Sequence, residues 1–260
     1  NPTVEAEIFL NNKTKASAIV PSGASTGAFE AYELRDNNNN YFLGKSVLNA
    51  VKNINTIISK NLKNVDSSKQ KKIDQILLNL DGTENKNKLG ANALLAVSLA
   101  VSKAEAISKK KELYQHLGKK FLLPKPLMNI INGGAHADNN LRIQEFMIRP
   151  DSAKNFMDAI EKCFLVIQNL KKILQSKKLS TNVGDEGGFA PLINSNEEAL
   201  DLVVQAIEKS KLKPGKDINI CLDVAANELI NKNGEYSLNS ANFISVDESI
   251  IYYKNLISKY

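Results

Sequence analysis

The chain has 260 residues, 43% of them hydrophobic and 24% charged, which is enough to bury a core in one large domain or two smaller ones. Only three of its 34 basic residues are arginines, and no basic cluster with aromatic platforms accompanies the net charge of +6, so we exclude nucleic acid as the primary partner. No run approaches the ~18 consecutive apolar residues of a membrane span. Cys163 and Cys221 lack metal-type spacing and are predicted to be reduced core thiols of a cytoplasmic protein.

Residues 1–121 are predicted to form an α+β domain, because strand patterns are followed by a run of helix patterns. Strands are predicted over three segments: Val4–Leu10, Ala16–Val20 and Ala28–Arg35. Apolar residues at helical spacing then form two stripes: Val47, Val51, Ile54, Ile58 and Leu62, and Ile73, Ile76, Leu77 and Leu80. The segment Ala91–Ile107 is apolar nearly all round and is predicted to be a central buried helix.

Residues 122–260 are predicted to begin a barrel of alternating strands and helices, after a domain boundary marked by two prolines in Leu122–Pro126. Its predicted strands are Leu127–Ile131, Gln144–Ile148 and Ile218–Val224. Two helices separate the last two strands. The first should bury one face made of Phe156, Ile160, Phe164, Ile167 and Leu170. The second opens with the capping-box pattern of Ser195 and Glu198 and should bury Leu200, Val203, Val204 and Ile207.

The length of this second part predicts an incomplete barrel. A complete barrel takes at least ~200 residues, and too few follow residue 121 to close one. The chain also begins at Asn1 without a methionine, in a pattern typical of the inside of a strand. We therefore expect a C-terminally truncated fragment of a longer protein.

Two glycine-containing segments are candidates for binding. The segment Ser22–Gly27 is small and rich in hydroxyls, and it is either an ordinary turn or a mobile lid whose hydroxyl ligates a hard cation. His136 follows a glycine pair after a predicted strand, where polar loops line the mouths of barrels. The other histidine, His116, lies between apolar neighbours and is interpreted as structural.

Carboxylates supply the remaining chemistry. Glu145, next to Gln144, borders a buried strand and needs a partner or a raised pKa. Asp185 and Glu186 are flanked by three glycines, which favours an acid-base role over a surface loop. Asp223 ends the last predicted strand as a buried carboxylate whose desolvation a metal would offset. The residues alone thus predict a barrel-type enzyme that uses carboxylates, a histidine and a divalent metal.

At the level of whole motifs, the chain resembles the enolase family over essentially all of its length. The matching segments occur in the family's order and rough spacing: Asn1–Glu5 (NPTVE), Val20–Gly27 (VPSGASTG), Glu33–Asp36 (ELRD), Leu80–Thr83 (LDGT), Lys88–Ala93 (KLGANA), Ile131–Ala137 (INGGAHA), Gln144–Ile148 (QEFMI) and Val183–Pro191 (VGDEGGFAP). The resemblance implies an N-terminal α+β capping domain over 1–121. It implies the first part of an enolase-type (β/α)8 barrel over 122–260.

The resemblance also implies an activity and a role for each candidate residue. The activity is the reversible, Mg²⁺-dependent dehydration of 2-phosphoglycerate to phosphoenolpyruvate by a hydro-lyase of glycolysis, working as a homodimer. Glu186 would be the acid that assists the departing hydroxide, with Glu145 beside it. His136, Gln144 and Glu145 would contact the substrate. Asp223 would ligate the tighter Mg²⁺, and Ser25 would ligate the second when its loop closes.

Three alternatives bear on this implied activity. The family's further metal carboxylates, catalytic lysine and phosphate-binding groups are expected beyond Tyr260, so the fragment alone should be inactive. A catalytically incompetent or surface-displayed binding form is the second alternative, because family members also occur at the cell surface. A related enzyme acting on another carboxylate is disfavoured by Ser22–Gly27 and Gly184–Gly188 together.

Overall fold

A computed structural model describes residues 1–23, 25–238 and 242–260, and they form two compact units, Asn1–Leu122 and Leu123–Tyr260. Each unit has its own hydrophobic core. The core of the first unit lies between Val4 and Val101, and that of the second lies between Ile130 and Leu256. Each unit therefore buries apolar surface by itself.

The N-terminal unit begins with an antiparallel hairpin of β1 (Val4–Phe9) and β2 (Lys15–Val20). Side chains alternate between the core and the surface, so Val4 and Ala6 are buried while Glu5 is exposed. The first two predicted strands are confirmed. Because β1 begins at Val4, the expectation that Asn1 lies inside a strand is wrong.

The third predicted strand, Ala28–Arg35, does not form. Its backbone bonds to side chains and isolated backbone groups instead of a neighbouring strand. The amide of Leu34 donates to Asn92 Oδ1 at 3.1 Å, and Asn92 Nδ2 donates to the carbonyl of Leu34 at 3.2 Å. This close approach needs Gly90, where φ is +96° and an added Cβ would lie 2.5 Å from Leu34 Cβ. One asparagine side chain thus occupies the place of a strand partner.

Helices complete the N-terminal unit. They are α1 (Leu48–Asn53), α2 (Ser59–Leu62), α3 (Gln70–Asp81), α4 (Ala91–Ser108) and α5 (Leu113–Leu117), with a π-helical turn Ile54–Ile58 joining α1 to α2. The predicted stripes are largely confirmed, since Val47, Ile58, Ile73 and Leu77 are buried. A cavity of about 830 Å³ lies between β1, the π-helical turn and α4, and none of its lining residues is a candidate site residue.

The helix α4 packs against both strands of the hairpin, as predicted for a central helix. Within the described residues it is the one helix whose length and composition would also suit a membrane span. Since 61% of that segment is buried inside the protein, the pattern is equally typical of a core helix and is weak evidence for a span.

The C-terminal unit follows the predicted order of strand, strand, helix, helix, strand, and ends in a further helix. Its elements are β3 (Met128–Asn132), β4 (Glu145–Arg149), α6 (Phe156–Ser176), α7 (Asn196–Lys209), β5 (Asn219–Asp223) and α8 (Val246–Lys259). The strands form one sheet in the order β3-β4-β5. Because β4 is antiparallel to both neighbours, β3 and β5 run parallel to each other.

The register of this sheet positions the candidate site. Asn132, the last residue of β3, lies opposite Glu145, the first residue of β4, and Glu145 lies opposite Asp223 at the end of β5. On the other side of β3, Phe189 forms a parallel bridge with Ile131. Residues from four segments therefore meet at one edge of the sheet.

Two side-chain expectations for the helices differ from the structure. The buried face of α6 only partly matches the prediction, because Leu170 is buried and Ile167 packs against the core, whereas Phe164 is 58% exposed. The buried residues are Ala159, Cys163, Val166, Leu170, Ile173 and Leu174. Ser195 caps α7 as predicted by accepting from the amide of Glu198 at 3.1 Å, but the Glu198 carboxylate accepts from the amide of Asn194 rather than closing the capping box. Burial raises the pKa of the free Cys163 thiol to about 11.

Candidate active site

His136 lies in a short 3-10 turn, Gly134–His136, that follows β3. The turn can pack against the neighbouring chain because Gly133 has no side chain, since a Cβ there would collide with the carbonyl oxygen of Ile143. Gly134 has a φ of +51°, in the region that favours glycine. His136 is only 4% exposed. The glycine pair noticed in the sequence thus holds the imidazole in the interior.

The imidazole of His136 lies beside two carboxylates. Its Nδ1 is 3.5 Å from Glu145 Oε1. One ligand atom from each of His136, Glu145 and Glu186 lies within 4.8 Å of the other two. Burial decreases across this cluster, since His136 is buried, Glu145 half-buried and Glu186 exposed. The three residues predicted to be catalytic therefore converge, and their roles stay predictions.

Glu186 reaches this cluster because its segment, Gly184–Gly188, folds back on itself and onto the His136 turn. The amide of Gly184 donates to the carbonyl of Gly188 at 2.9 Å. The amide of Asp185 donates to the carbonyl of His136 at 3.0 Å. These bonds leave Asp185 and Glu186 with exposed side chains at the edge of the sheet.

Asp223 lies next to the cluster but is exposed, so the expectation of a buried carboxylate is wrong. Its Oδ1 accepts from the amide of Ala225 at 3.0 Å. Ala225 has a φ of +49°, an uncommon conformation for a residue other than glycine. The second oxygen, Oδ2, is 3.5 Å from Gln144 Nε2. The strand ends in a tight turn that holds the carboxylate beside β4.

The electrostatics of the site centre on Glu145. Burial raises the pKa of its carboxyl, the neighbouring Asp223 raises it further, His136 opposes this, and Glu186 adds a smaller increase. Burial disfavours the charged form and nearby negative charges do the same. The half-buried Glu145 thus lies among two further carboxyl groups and one buried histidine.

This donor set fits a divalent cation. Glu145 and Glu186 supply oxygen atoms, which hard cations such as Mg²⁺ prefer, whereas the nitrogen of His136 suits borderline metals better. Asp223, the predicted metal ligand, lies opposite Glu145 in the sheet but is not part of this three-residue group. Gln144 is 4% exposed, and its Oε1 has no hydrogen-bond partner among the described residues. Such a buried acceptor is available for a ligand that donates hydrogen bonds or carries positive charge. A cation would also reduce the repulsion among the carboxylates.

Ser25, the other predicted metal ligand, belongs to the N-terminal unit. Its segment Ser22–Gly27 includes Ala24, which lies outside the described residues. Ser22 Oγ donates to Glu33 Oε1 at 2.9 Å, so the base of the loop is tied to the chain that follows it. The expectation that Ser25 lies above the cluster stays a prediction.

One buried residue of the site was missed by residue-level reasoning. Asn132 is 0% exposed and contacts the Glu186 segment through its side chain. The sequence signal that could have identified Asn132 is its position between a predicted strand and the Gly133–Gly134 pair, within a segment that resembles the enolase family.

The fold and the cluster define an α/β barrel-type protein. Its carboxylates and histidine gather where β3 and β5 end and β4 begins. Two family models match the chain: "Enolase, N-terminal domain" over residues 1–117 and "Enolase, C-terminal TIM barrel domain" over residues 120–260. The chain belongs to the enolase family. A protein named Enolase from Pelagibacter ubique (strain HTCC1062) is 61% identical over 262 residues, covering all of this chain. The chain spans 62% of the length of that curated relative.

Proposed function

We propose that the whole protein catalyses the reversible dehydration of 2-phosphoglycerate to phosphoenolpyruvate. The observation that carries this proposal is the convergence of His136, Glu145 and Glu186 within 4.8 Å at the edge of the sheet, with Asp223 next to them in register. Membership of the enolase family supports the choice of reaction. The reaction places the protein among the hydro-lyases of glycolysis.

Glu186 is the proposed general acid for the departing C3 hydroxyl. It is exposed, so substrate can reach it, and it lies beside the half-buried Glu145, whose pKa is raised. Two carboxyls this close resist being charged together. The negative charge of Glu186 is one cause of the raised pKa of Glu145, and acid-base sites commonly place two carboxyl groups side by side in this way.

His136, Gln144 and Glu145 are the proposed substrate contacts. Both His136 and Gln144 are buried, which fixes their orientation before the substrate arrives. Gln144 Oε1 has no partner among the described residues and is available to accept a hydrogen bond from a substrate hydroxyl. Fixed polar groups of this kind orient a substrate without reorganisation during the reaction.

Mg²⁺ is the proposed cofactor, with Asp223 as ligand of the first ion and Ser25 as ligand of the second. When bound, Mg²⁺ would supply positive charge that stabilises the negative charge developing on the substrate carboxylate. The oxygen-rich donor set around Glu145 supports a hard cation. We further propose a cytoplasmic homodimer.

The test is the absorbance increase of phosphoenolpyruvate on adding 2-phosphoglycerate to the purified whole protein with millimolar Mg²⁺. Turnover that stops with a chelator and returns with Mg²⁺ is expected. Other phosphorylated and unphosphorylated 2-hydroxy acids serve as controls for a related enzyme that acts on another carboxylate. Turnover of one of these, but not of 2-phosphoglycerate, would overturn the proposal.

We expect the 260 residues by themselves to be inactive, because the family resemblance finds no counterpart of the proton-abstracting lysine among their motifs. Without that base the C2 proton is far too weakly acidic to leave. The same absorbance assay on residues 1–260, beside the whole protein, checks this. Turnover within about tenfold of the whole protein would contradict the assignment of the base and remove the case for an incompetent fragment.

A further inference from the structure

Asn132 contacts both loops of the site. It ends β3, is 0% exposed, and lies directly opposite Glu145. Directly opposed residues of an antiparallel pair project to the same face of a sheet. Asn132 and Glu145 therefore share the face on which the site is built.

The contacts of Asn132 run to the two loops that carry His136 and Glu186. Its Oδ1 accepts from the amide of Gly188 at 3.2 Å, at the end of the Glu186 segment. Its backbone carbonyl accepts from Asn139 Nδ2 at 2.9 Å, just beyond His136. Its backbone amide donates to the carbonyl of Phe189 at 2.9 Å. One residue thus joins both loops to the end of β3.

The packing around this side chain leaves little freedom. A Cβ on Gly184 would lie 2.5 Å from Asn132 Nδ2, and a Cβ on Gly188 would collide with Asn132 Oδ1. Both glycines of the Glu186 segment are therefore fitted to the asparagine. The Oδ1 atom is also fixed by Asn129 Nδ2 at 2.5 Å.

The side-chain nitrogen of Asn132 indicates that this residue has a functional role. Its Nδ2 is buried and has no hydrogen-bond partner among the described residues. A buried donor left in this state costs about 1–3 kcal/mol. Such local costs are typical of functional sites, where surrounding structure holds a group in an unfavourable environment.

We propose that Asn132 is a positioning residue that fixes the Glu186 segment against the His136 turn and Glu145. It accepts the Gly188 amide while adding no charge to a site that already holds three carboxylates. This inference rests on the proposed function for its catalytic consequence, since Glu186 must lie within reach of the substrate. A displacement of about 1 Å at a catalytic group can lower the rate ~10²-fold.

Two variants of similar size separate the hydrogen bond from packing. Asn132→Leu removes the acceptor, and Asn132→Asp keeps it, because burial beside other carboxyl groups favours the neutral, protonated form of the new side chain. In the whole protein, amide hydrogen exchange should accelerate at least tenfold at Gly188 and Asp185 in the Leu variant and stay within about threefold of wild type in the Asp variant. Asn169→Leu is the matched control, because Asn169 Nδ2 bonds Ser210 Oγ at 2.9 Å between the helical segments. It should leave both amides unchanged.

Kinetics provide the second measurement. Asn132→Leu should lower kcat about 10²-fold while KM changes less than about threefold, because a misplaced acid affects the reaction more than binding. Unchanged exchange at Gly188 together with kcat within twofold of wild type would overturn the proposal. If the Asn132→Leu variant does not fold, the Asn132→Asp variant tests the proposal instead. Amide exchange at Gly188 that is tenfold faster than in wild type, although this variant retains the acceptor, would overturn the proposal.

The two measurements also separate this inference from the proposed function. If the wild-type protein does not dehydrate 2-phosphoglycerate, the proposed function fails, whereas exchange at Gly188 still tests whether Asn132 fixes the segment. If turnover is present and Asn132→Leu leaves both exchange and kcat unchanged, only the positioning role fails.

Discussion

Single residues of the same type are given different properties by their surroundings in this site. Glu145 is half-buried on a strand, next to a histidine, whereas Glu186 is exposed on a glycine-flanked loop. Burial and neighbouring carboxylates act on Glu145 in the same direction and raise its pKa. Burial thus distinguishes two chemically identical side chains of the site.

The first prediction separates the acid from the metal ligand. In the whole protein, Glu186→Gln should lower kcat ~10²–10⁴-fold with little change in Mg²⁺ affinity, because it removes a general acid. Asp223→Ala should instead weaken Mg²⁺ binding and recover turnover at high Mg²⁺. Mg²⁺ titrations of turnover and of ion binding check both. Equal losses of Mg²⁺ affinity with equal turnover at saturation would contradict this division of roles.

The second prediction concerns the raised pKa of Glu145. The folded state keeps the Glu145 proton to higher pH than the unfolded state, so stability is lost as pH rises through the raised pKa. Glu145→Gln cannot ionise and should escape that loss. Relative to wild type, the variant should therefore be more stable at pH 7 than at pH 4.

Urea unfolding at the two pH values, in the presence of a chelator, measures this difference. Glu161→Gln is a suitable control, because Glu161 is exposed on α6. A Glu145→Gln variant that gains no stability between pH 4 and pH 7 relative to wild type would show that the environment of Glu145 does not oppose its charge.

At the scale of elements, the Gly184–Gly188 segment depends on close backbone packing. A Cβ on Gly188 would lie 2.9 Å from the backbone nitrogen of Ile131, whereas a Cβ on Gly187 would meet nothing within 4 Å. Gly187 has a φ of +80°, so its substitution costs only the conformational strain of about 1–2 kcal/mol. Gly188→Ala should therefore destabilise the C-terminal unit more than Gly187→Ala does. Thermal unfolding of both variants tests the order, and equal losses would mean that the segment moves aside at little cost.

The sequence was most informative where one local pattern decided the outcome. The hairpin strands alternate, and α4 is apolar on every side, so both could be predicted without knowledge of tertiary contacts. The glycine-flanked acids also indicated the convergence that the structure shows, because Glu186 does reach His136 and Glu145. A pair of glycines beside a polar residue is an unusual local pattern, and it can be recognised from the sequence without knowledge of the structure.

Other features depended on contacts that a local pattern cannot contain. Residues 28–35 alternate like a strand, but the side chain of Asn92, 58 positions beyond Leu34, takes up the backbone bonds of Leu34. The buried face of α6 was predicted only in part, because Leu170 is buried but the large Phe164 stays exposed while small Ala159 is buried. Asp223 was expected to be buried because it follows an apolar run, yet β5 ends there and leaves the carboxylate exposed. In each case the outcome depends on tertiary packing, which a local sequence pattern does not contain.

At the scale of the whole molecule, each of the two units has a hydrophobic core of its own. Each core consists of residues from one unit only, and His136, Glu145 and Glu186 likewise converge within the second unit. Substitutions at sites that are far apart in space and share no partners usually have additive effects on stability. The folding of each unit can therefore be examined separately.

The last prediction is that residues 1–122 and 123–260, produced separately, each fold. Each unit contains a complete core, with Ile73 2% exposed in the first and Leu170 0% exposed in the second. Cooperative thermal unfolding of each is the expected result. Ile73→Ala and Leu170→Ala should each lower the unfolding free energy of their own unit by about 2–5 kcal/mol, because they leave cavities in packed cores. Exposed Ile107→Ala and Leu165→Ala serve as matched controls and should have much smaller effects.

The C-terminal unit should also be the more prone to association, since among the described residues β5 pairs with β4 on one side only and leaves an open strand edge. Circular dichroism and light scattering measure these properties, and a unit that shows no cooperative transition would mean that its core is not sufficient for folding.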